Sequence, residues 1–302
     1  MTAAIHTQDL AKRYGRTVAL RALTMTVERG EVFGFLGPNG AGKTTAVKLL
    51  LGLARPTGGE AWILGVPLGD RGTRRRIGYL PELFRYQPWL RAREVLALHC
   101  ALARIERPKW DAEIRAALAL VGLADRAEDR VATFSKGMQQ RLGLGVALLG
   151  TPELVLLDEP TSALDPVGRR DVREIIGALR SRGVTVFLNS HLLTEVERVC
   201  DRVAIVDKGV VVAEGRVDEL GEGGGVRVHV TGLSEDDRAS LARFGPLEVA
   251  GDWLRVRGLT DGAVPDLVSE IVRRGGRVHA VQPAGATLEE RFLMLLGDER
   301  PS

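Results

Sequence analysis

Two short segments constrain this chain more than any other feature: GPNGAGKTT at 37–45 and LVLLDEP at 154–160. The first is a Gly-x4-Gly-Lys-Thr loop, and the second is an apolar run that ends in two acids. Such a loop between a strand and a helix holds the phosphates of a nucleoside triphosphate. A carboxylate at the end of a buried strand can hold Mg²⁺. Together the two segments predict a site that binds and hydrolyses a nucleoside triphosphate.

The first segment has the local context that the motif needs. The apolar run Val32–Leu36 predicts a buried strand before it, and the residues after Thr44 predict a helix that ends at Gly52. Main-chain N–H groups and the helix dipole attract phosphates there. Glycines at 37, 40 and 42 can adopt positive φ and leave room for phosphate oxygens. The alternative is a glycine-rich turn with an exposed lysine.

Two side chains of this loop are expected to have different roles. We expect Lys43 to contact the β- and γ-phosphates and the Thr44 hydroxyl to bind Mg²⁺. The residues expected to line the nucleotide are Gly37, Pro38, Asn39, Gly40, Ala41, Gly42, Lys43, Thr44 and Thr45.

The second segment supplies candidate catalytic groups. We expect Asp158 to bind the metal and Glu159 to act as general base on the attacking water. His191 follows the predicted strand Thr185–Asn189, one strand–helix–strand step along a parallel sheet, which brings it beside the two acids. A neutral imidazole there could hydrogen-bond the γ-phosphate or orient the water. The alternative for the acids is a solvated turn before Pro160.

Length and composition limit the classes of protein. The 302 residues suit one large domain and a small one, and 45% apolar and 27% charged residues are ordinary for a soluble globular chain. No apolar run approaches the 20 or so residues of a membrane span, and the N-terminus lacks a signal core. Cys100 and Cys200 suggest no disulfide framework and fit a reducing cytosol. A net charge of +3 is too small to argue for nucleic acid.

The pattern of predicted elements gives the fold class. We expect an α/β protein: a phosphate-loop NTPase core with a mostly parallel sheet, an antiparallel β subdomain and a helical insertion. We place this domain at 1–220, with the helical part at about 88–150. GEGGG at 221–225 predicts a linker. Residues 226–302 then form a small α+β domain.

Further segments match a known family in order along about 1–220. They are Tyr14, the two opening segments, FSKGMQQR at 134–141, Ser162–Asp165 and Asn189–His191. In this combination the chain resembles the nucleotide-binding subunit of ABC transporters. FSKGMQQR is the most specific match, because ordinary phosphate-loop enzymes lack the signature it resembles.

The resemblance implies a mechanism and partners. Two such subunits pack head to tail around two ATP molecules, and Ser135 and Gly137 of one contact the γ-phosphate held by Lys43 of the other. Asp165 belongs to the loop at that interface, and Tyr14 stacks on adenine. The pair drives an integral-membrane permease from the cytoplasmic face of the membrane. From the residues alone, Ser135 is equally a helix N-cap and Tyr14 equally a packed surface aromatic.

Three positions depart from the usual family pattern. Lys136 replaces a glycine and Met138 a glutamine in the signature, and Glu82 stands where a glutamine normally touches Mg²⁺ and the permease. A carboxylate is also a hard oxygen ligand, so we expect Glu82 to bind the metal. These variants, and ATLEERF at 286–292, are similar to bacterial drug- and antibiotic-export subunits whose membrane subunits are encoded separately.

Two other functions compete with a transporter ATPase. The first is a soluble ABC-type ATPase that acts on DNA or ribosomes. It is disfavoured because only residues 46–133 lie between the phosphate loop and the signature, and they contain no sustained heptads. It is also disfavoured because the chain has one nucleotide domain. An unrelated phosphate-loop kinase or GTPase would lack the signature. The transported substrate, the direction of transport and the role of the C-terminal domain stay open.

Overall fold

A computed structural model of the protein describes residues 3–162, 164–220, 225–283 and 288–296. The chain forms two compact units, Met1–Glu214 and Gly215–Ser302, and each has a hydrophobic core of its own. The predicted linker lies outside the described residues except for Gly225. The predicted boundary after residue 220 therefore stays a prediction.

The larger unit is built on a ten-stranded sheet. Its strands are β1 (Ile5–Tyr14), β2 (Thr17–Val27), β3 (Val32–Leu36), β4 (Gly58–Ile63), β5 (Val66–Pro67), β6 (Ile77–Leu80), β7 (Leu154–Asp158), β8 (Thr185–Asn189), β9 (Arg202–Asp207) and β10 (Val210–Arg216). Their order across the sheet is β5-β4-β1-β2-β10-β9-β3-β8-β7-β6.

The half of the sheet that carries the functional segments is parallel. Strands β9, β3, β8, β7 and β6 pair in the same direction, and every residue of β3, β7 and β8 is buried. Continuous burial explains why these strands are unbroken apolar runs rather than alternating ones. Because parallel strands end at one edge, the segments that follow β3, β7 and β8 meet there.

The other half contains the predicted antiparallel part. Strands β1 and β2 form a long hairpin whose turn has Gly15 at φ +57°, and β4 pairs antiparallel with β1. The sequence predicts a strand at Ala4–Leu10, and β1 continues past Leu10 to Tyr14. The two apolar runs on either side of Lys208 and Gly209 predict a hairpin there. Both residues have positive φ, and the turn joins β9 to β10.

Helices cover the sheet and form the predicted insertion. They are α1 (Lys43–Leu50), α2 (Arg71–Arg74), α3 (Ala92–Leu102), α4 (Trp110–Leu120), α5 (Lys136–Ala147), α6 (Pro166–Ser181) and α7 (Leu193–Val199). Helices α3, α4 and α5 pack on one another within the predicted helical part. Helix α1 buries Ala46, Val47 and Leu49 in the same core as Phe33 and Phe35 of β3, which fixes the loop between them.

The smaller unit is a four-stranded antiparallel sheet with helices. Its elements are α8 (Val217–Leu220), β11 (Gly225–Thr231), α9 (Glu235–Ser240), β12 (Leu247–Ala250), β13 (Trp253–Arg257), α10 (Val264–Arg273), β14 (Arg277–Pro283) and α11 (Leu288–Leu296). The strand order is β12-β13-β11-β14. Alternate residues of β11 are buried with Leu267 and Ile271 of α10. The sequence predicts one helix at Glu235–Phe244; in the structure α9 ends at Ser240 and the chain continues as a 3₁₀ turn.

Among the described residues, no helix is long and apolar enough to cross a membrane.

Candidate active site

The phosphate loop lies between β3 and α1, as its sequence predicts. Gly40 and Gly42 have φ of +84° and +100°, which a side chain would strain. Gly37 does not have positive φ. A Cβ on Gly37 would instead lie 2.3 Å from the main-chain oxygen of Val206 on β9. Glycine is therefore needed at 37 for close packing and at 40 and 42 for backbone conformation.

Lys43 is held inside this loop. Its Nζ donates hydrogen bonds to the carbonyl oxygens of Gly37 at 2.6 Å and Pro38 at 3.1 Å, and the residue is only 8% exposed. Burial lowers the pKa of Lys43, and the carboxylates of Glu159, Asp158 and Glu82 act against that shift. The ammonium group therefore lies within the electrostatic reach of all three predicted acidic site residues.

The other loop residues differ in exposure. Asn39 and Gly40 are exposed at the loop, Thr44 is exposed in the first turn of α1, and Thr45 is half-buried. Ala41 is buried and donates its N–H to the oxygen of Pro38 at 3.2 Å. The first-turn N–H groups of α1 make this end of the helix suited to an anion.

Asp158 and Glu159 follow β7 and are turned apart by the backbone. Glu159 has φ +52°, a left-handed conformation that is uncommon for a residue with a side chain. Its N–H donates to the carbonyl oxygen of Asn189 at 2.9 Å. Both acids are buried, at 4% and 9% exposure. Their side chains therefore meet different partners.

Each acid has one side-chain partner near the end of β8: one partner is the last residue of the strand, and the other lies just after it. The Asn189 amide donates to Asp158 Oδ1, and His191 Nδ1 lies 2.8 Å from Glu159 Oε1. The predicted approach of His191 to the acids is thus present, with Glu159 as its contact. Sequence analysis missed Asn189 as a partner of Asp158; its signal was a polar residue ending an otherwise apolar strand.

Burial sets the electrostatics of the two acids. It raises the pKa of Asp158, against the hydrogen bond from Asn189, and the charge of Glu82 adds to the rise. Burial also raises the pKa of Glu159, against the influence of His191 and Lys43. A carboxylate with a raised pKa is a stronger base than an exposed one, which suits proton transfer.

Two buried oxygen atoms of this site, Glu159 Oε2 and Asn189 Oδ1, have no hydrogen-bond partner among the residues that the structure describes. Buried oxygens of this kind normally have a partner, so the site has acceptors available for a bound water or another donor. Asp158, Glu82 and Thr44 offer the carboxylate and hydroxyl oxygens that Mg²⁺ prefers. The donor chemistry therefore fits the predicted metal.

The remaining predicted site residues lie on other elements. Tyr14 ends β1, is 48% exposed, and has Lys12 Nζ 4.8 Å from its ring centroid. Ser135 caps α5 by accepting the Met138 N–H at 3.2 Å. Asp165 caps α6 by accepting a backbone N–H at 2.7 Å. Ala163, in the same loop as Asp165, lies outside the described residues.

Comparison with known proteins decides the family. The family model described as ABC transporter matches residues 20–162. An uncharacterized ABC transporter ATP-binding protein of Nostoc sp. is 41% identical over 96% of this chain and 88% of its own length. The chain belongs to the ATP-binding proteins of ABC transporters. It is therefore an ATP-binding protein and an ATPase.

Two relatives with a named role are similar over about seven-tenths of this chain. The bacitracin transport ATP-binding protein of Bacillus licheniformis is 40% identical over 73% of this chain and 72% of its own. A Nod factor export ATP-binding protein of Rhizobium meliloti is 39% identical over 71% and 65%. A solved ATP-binding subunit of an ABC transporter matches with a TM-score of 0.65 at 32% identity, over 72% of this chain and 92% of that one.

Proposed function

We propose that this ATPase powers export through separately encoded membrane subunits, and that two copies close head to tail around two ATP molecules. One observation on α5 carries the proposal. Gly137 does not have positive φ, and among the described residues a Cβ on it would contact only Leu164 and Ser135, both at 3.9 Å. The described part of its own chain therefore gives no steric reason for glycine. Close approach of the partner copy's γ-phosphate would give one.

In this proposal the phosphate loop holds the nucleotide from one side. Main-chain N–H groups of the loop and the first turn of α1 bind phosphate oxygens, and Lys43 neutralises the β- and γ-phosphates. Lys43 would exchange its bonds to the carbonyls of Gly37 and Pro38 for phosphate oxygens. Tyr14 would stack on the adenine, and its exposed ring leaves room for that.

Thr44, Asp158 and Glu82 would hold Mg²⁺. When bound, the ion would neutralise phosphate charge in the transition state. Asn189 keeps Asp158 oriented toward this position through its amide hydrogen bond. The carboxylate of Glu82 replaces the amide that the family resemblance leads one to expect, and it would add a negative charge beside the ion.

Glu159 would be the general base, with His191 as its orienting partner. The unpaired Glu159 Oε2 could accept the proton of an attacking water while Oε1 stays with His191. His191 is 54% exposed at its side chain, so it can also contact the γ-phosphate. Ser135 and Gly137 of the second copy would then complete the site, with Asp165 in the loop between the copies.

Export and a membrane partner are proposed from two kinds of observation. The printed names of two relatives refer to bacitracin transport and to Nod factor export. Leu83, directly after Glu82, is 87% exposed and Trp89, six residues further on, is 68% exposed. Exposed large apolar side chains suit a protein partner. We place the docking of a permease at this segment, and the subunit on the cytoplasmic face of the membrane.

The test is the molecular mass of Glu159→Gln with and without Mg-ATP, by size-exclusion chromatography with light scattering. We expect a monomer without nucleotide and a dimer with it, because ATP is bound but not hydrolysed. The double variant Glu159→Gln/Gly137→Ala should bind ATP and stay monomeric. A Glu159→Gln protein that binds ATP as a monomer would overturn closure by two copies alone.

A further inference from the structure

Two adjoining cavities on the larger unit are lined by arginines. The first has a volume of about 550 Å³ and lies between the end of α1 and α2; the second has about 340 Å³ and lies between β6 and the ends of α3 and α5. They share Arg74. The arginines that line them, called the arginine surface here, are Arg55, Arg71, Arg74, Arg75 and Arg104.

The arginine surface is not neutralised by its own chain. In the described residues none of its five guanidiniums forms an ion pair with a carboxylate, and neither cavity is lined by an acid. Arg74 donates to the carbonyl oxygen of Gly52 at 3.3 Å. The acid that Arg74 influences is Asp70, whose carboxylate already accepts the N–H and hydroxyl of Thr73.

Another arginine-lined cavity in the same unit shows the contrast. It has about 290 Å³ and is lined by Arg170, Arg173, Arg180 and Arg198. Three of these are paired with acids: Arg170 with Glu174, Arg173 with Glu195, and Arg180 with Asp201. Arginines crowded for structural reasons are thus neutralised in this chain, and those of the arginine surface are not. Unpaired, exposed guanidiniums repel one another unless an anion lies between them.

The chemistry of the surface selects the anion. Guanidinium groups bind phosphate oxygens in a bidentate fork. Beside them stand two exposed leucines: Leu53, 67% exposed, between two residues of the first cavity, and Leu102, 69% exposed, in the wall of the second. Basic residues interspersed with exposed apolar ones are typical of a surface that lies on anionic lipid. A free polyanion would leave both leucines in water.

We propose that the arginine surface binds the phosphate headgroups of anionic lipids, with Leu53 and Leu102 entering the headgroup region. The subunit then has its own affinity for the membrane besides its contact with a permease. This inference goes beyond the proposed export function and does not require it. Purified subunit without any membrane protein is therefore the correct material for its test.

The experiment measures partitioning of the purified full chain onto phosphatidylcholine vesicles with and without phosphatidylglycerol, at rising salt. We expect binding only with phosphatidylglycerol and a steep loss with salt. Each arginine removed should lower partitioning about fivefold. The triple variant Arg71→Gln/Arg74→Gln/Arg75→Gln should therefore lose about a hundredfold. Its thermal midpoint and ATP binding establish that it is folded.

The matched control removes the same charge from the other cavity: Arg170→Gln/Arg180→Gln/Arg198→Gln should bind vesicles within a few-fold of the parent. Equal loss in both triple variants would mean a response to net charge and would overturn the assignment. Equal binding to neutral vesicles would overturn it too. Tighter binding of a single-stranded oligonucleotide, lost in the first triple variant alone, would assign the surface to nucleic acid instead. ATP-dependent dimerisation of Glu159→Gln is unaffected by any of these outcomes.

Discussion

At the scale of single residues, the site depends on the buried charged groups Lys43, Asp158 and Glu159, each of which has charged or polar neighbours. Lys43 faces three acids from inside its loop, and Asp158 and Glu159 each have one side-chain partner from the β8 end. Burial strengthens these interactions because little water screens them. Removing one group therefore affects both nucleotide binding and the ionisation of its neighbours.

Lys43→Ala should reduce ATP hydrolysis at least about 100-fold, because the phosphates lose their principal charge neutralisation. Steady-state phosphate release measures it. Lys48→Ala, on the exposed side of the same helix, is the control and should remain within a few-fold of the parent. Parent-like turnover in Lys43→Ala would show that the phosphate site lies elsewhere.

The pH profile tests Glu159 as the base. Because burial raises the pKa of Glu159, activity should be lost on acidification at a higher pH than an ordinary glutamate would give. His191 lowers the pKa of Glu159, so His191→Ala should move the acidic limb of the kcat/KM profile to still higher pH. An unmoved limb with reduced kcat would mean that His191 acts on the phosphate and not on Glu159.

At this scale the sequence predicted correctly which residues lie close together, but it predicted less well the backbone and side-chain interactions that fix their positions. Asp158, Glu159 and His191 follow neighbouring parallel strands, and a parallel sheet brings such residues together. The expectation of positive φ at Gly37 was wrong, since its lack of a side chain is required by close packing on Val206 of β9, far along the chain. The amide of Asn189 was missed for the same reason: side-chain direction at a strand end is not a property of local pattern.

At the scale of elements, continuous apolar runs were the most predictable. Strands β3 and β8 begin and end where expected, because Gly and polar residues bound each run. Strand β1 extends past its prediction because polar residues such as Lys12 and Arg13 lie in a paired but partly exposed stretch. Partial exposure leaves little hydrophobic signal, so such strand ends need tertiary pairing to be seen.

Alanine substitutions at two glycines of α5 should have different effects, one on activity and the other on stability. Gly137→Ala has room for its Cβ and should change the free energy of unfolding by no more than about 1 kcal/mol, in the stabilising direction. ATP-dependent dimerisation and hydrolysis should nevertheless be lost. Denaturant melts and light scattering measure both.

Gly143→Ala is the counterpart on the same helix. Its Cβ would lie 2.7 Å from Phe84 and 2.8 Å from Leu80, so about 2 kcal/mol of stability should be lost through overpacking. If Gly137→Ala were the more destabilising of the two, the case for a partner-facing glycine would fail.

At the scale of the whole molecule, the two units have separate cores, and every proposed nucleotide ligand belongs to the first unit. A chain ending at Leu220 should therefore fold and bind ATP with an affinity within a few-fold of the full chain. Fluorescent-nucleotide titration and a thermal melt measure this. Insoluble or non-binding protein would place the boundary of the ATPase domain beyond 220.

At Glu159 the left-handed backbone conformation lowers stability, whereas the carboxylate at the same position is needed for activity. Glycine adopts that conformation freely, whereas a residue with a side chain loses about 1 kcal/mol there. Selection for folding alone would therefore favour glycine after Asp158. Retaining glutamate means that the protein keeps a less stable turn for the sake of its carboxylate. Glu159→Gly should melt at a higher temperature than the parent while hydrolysing no ATP.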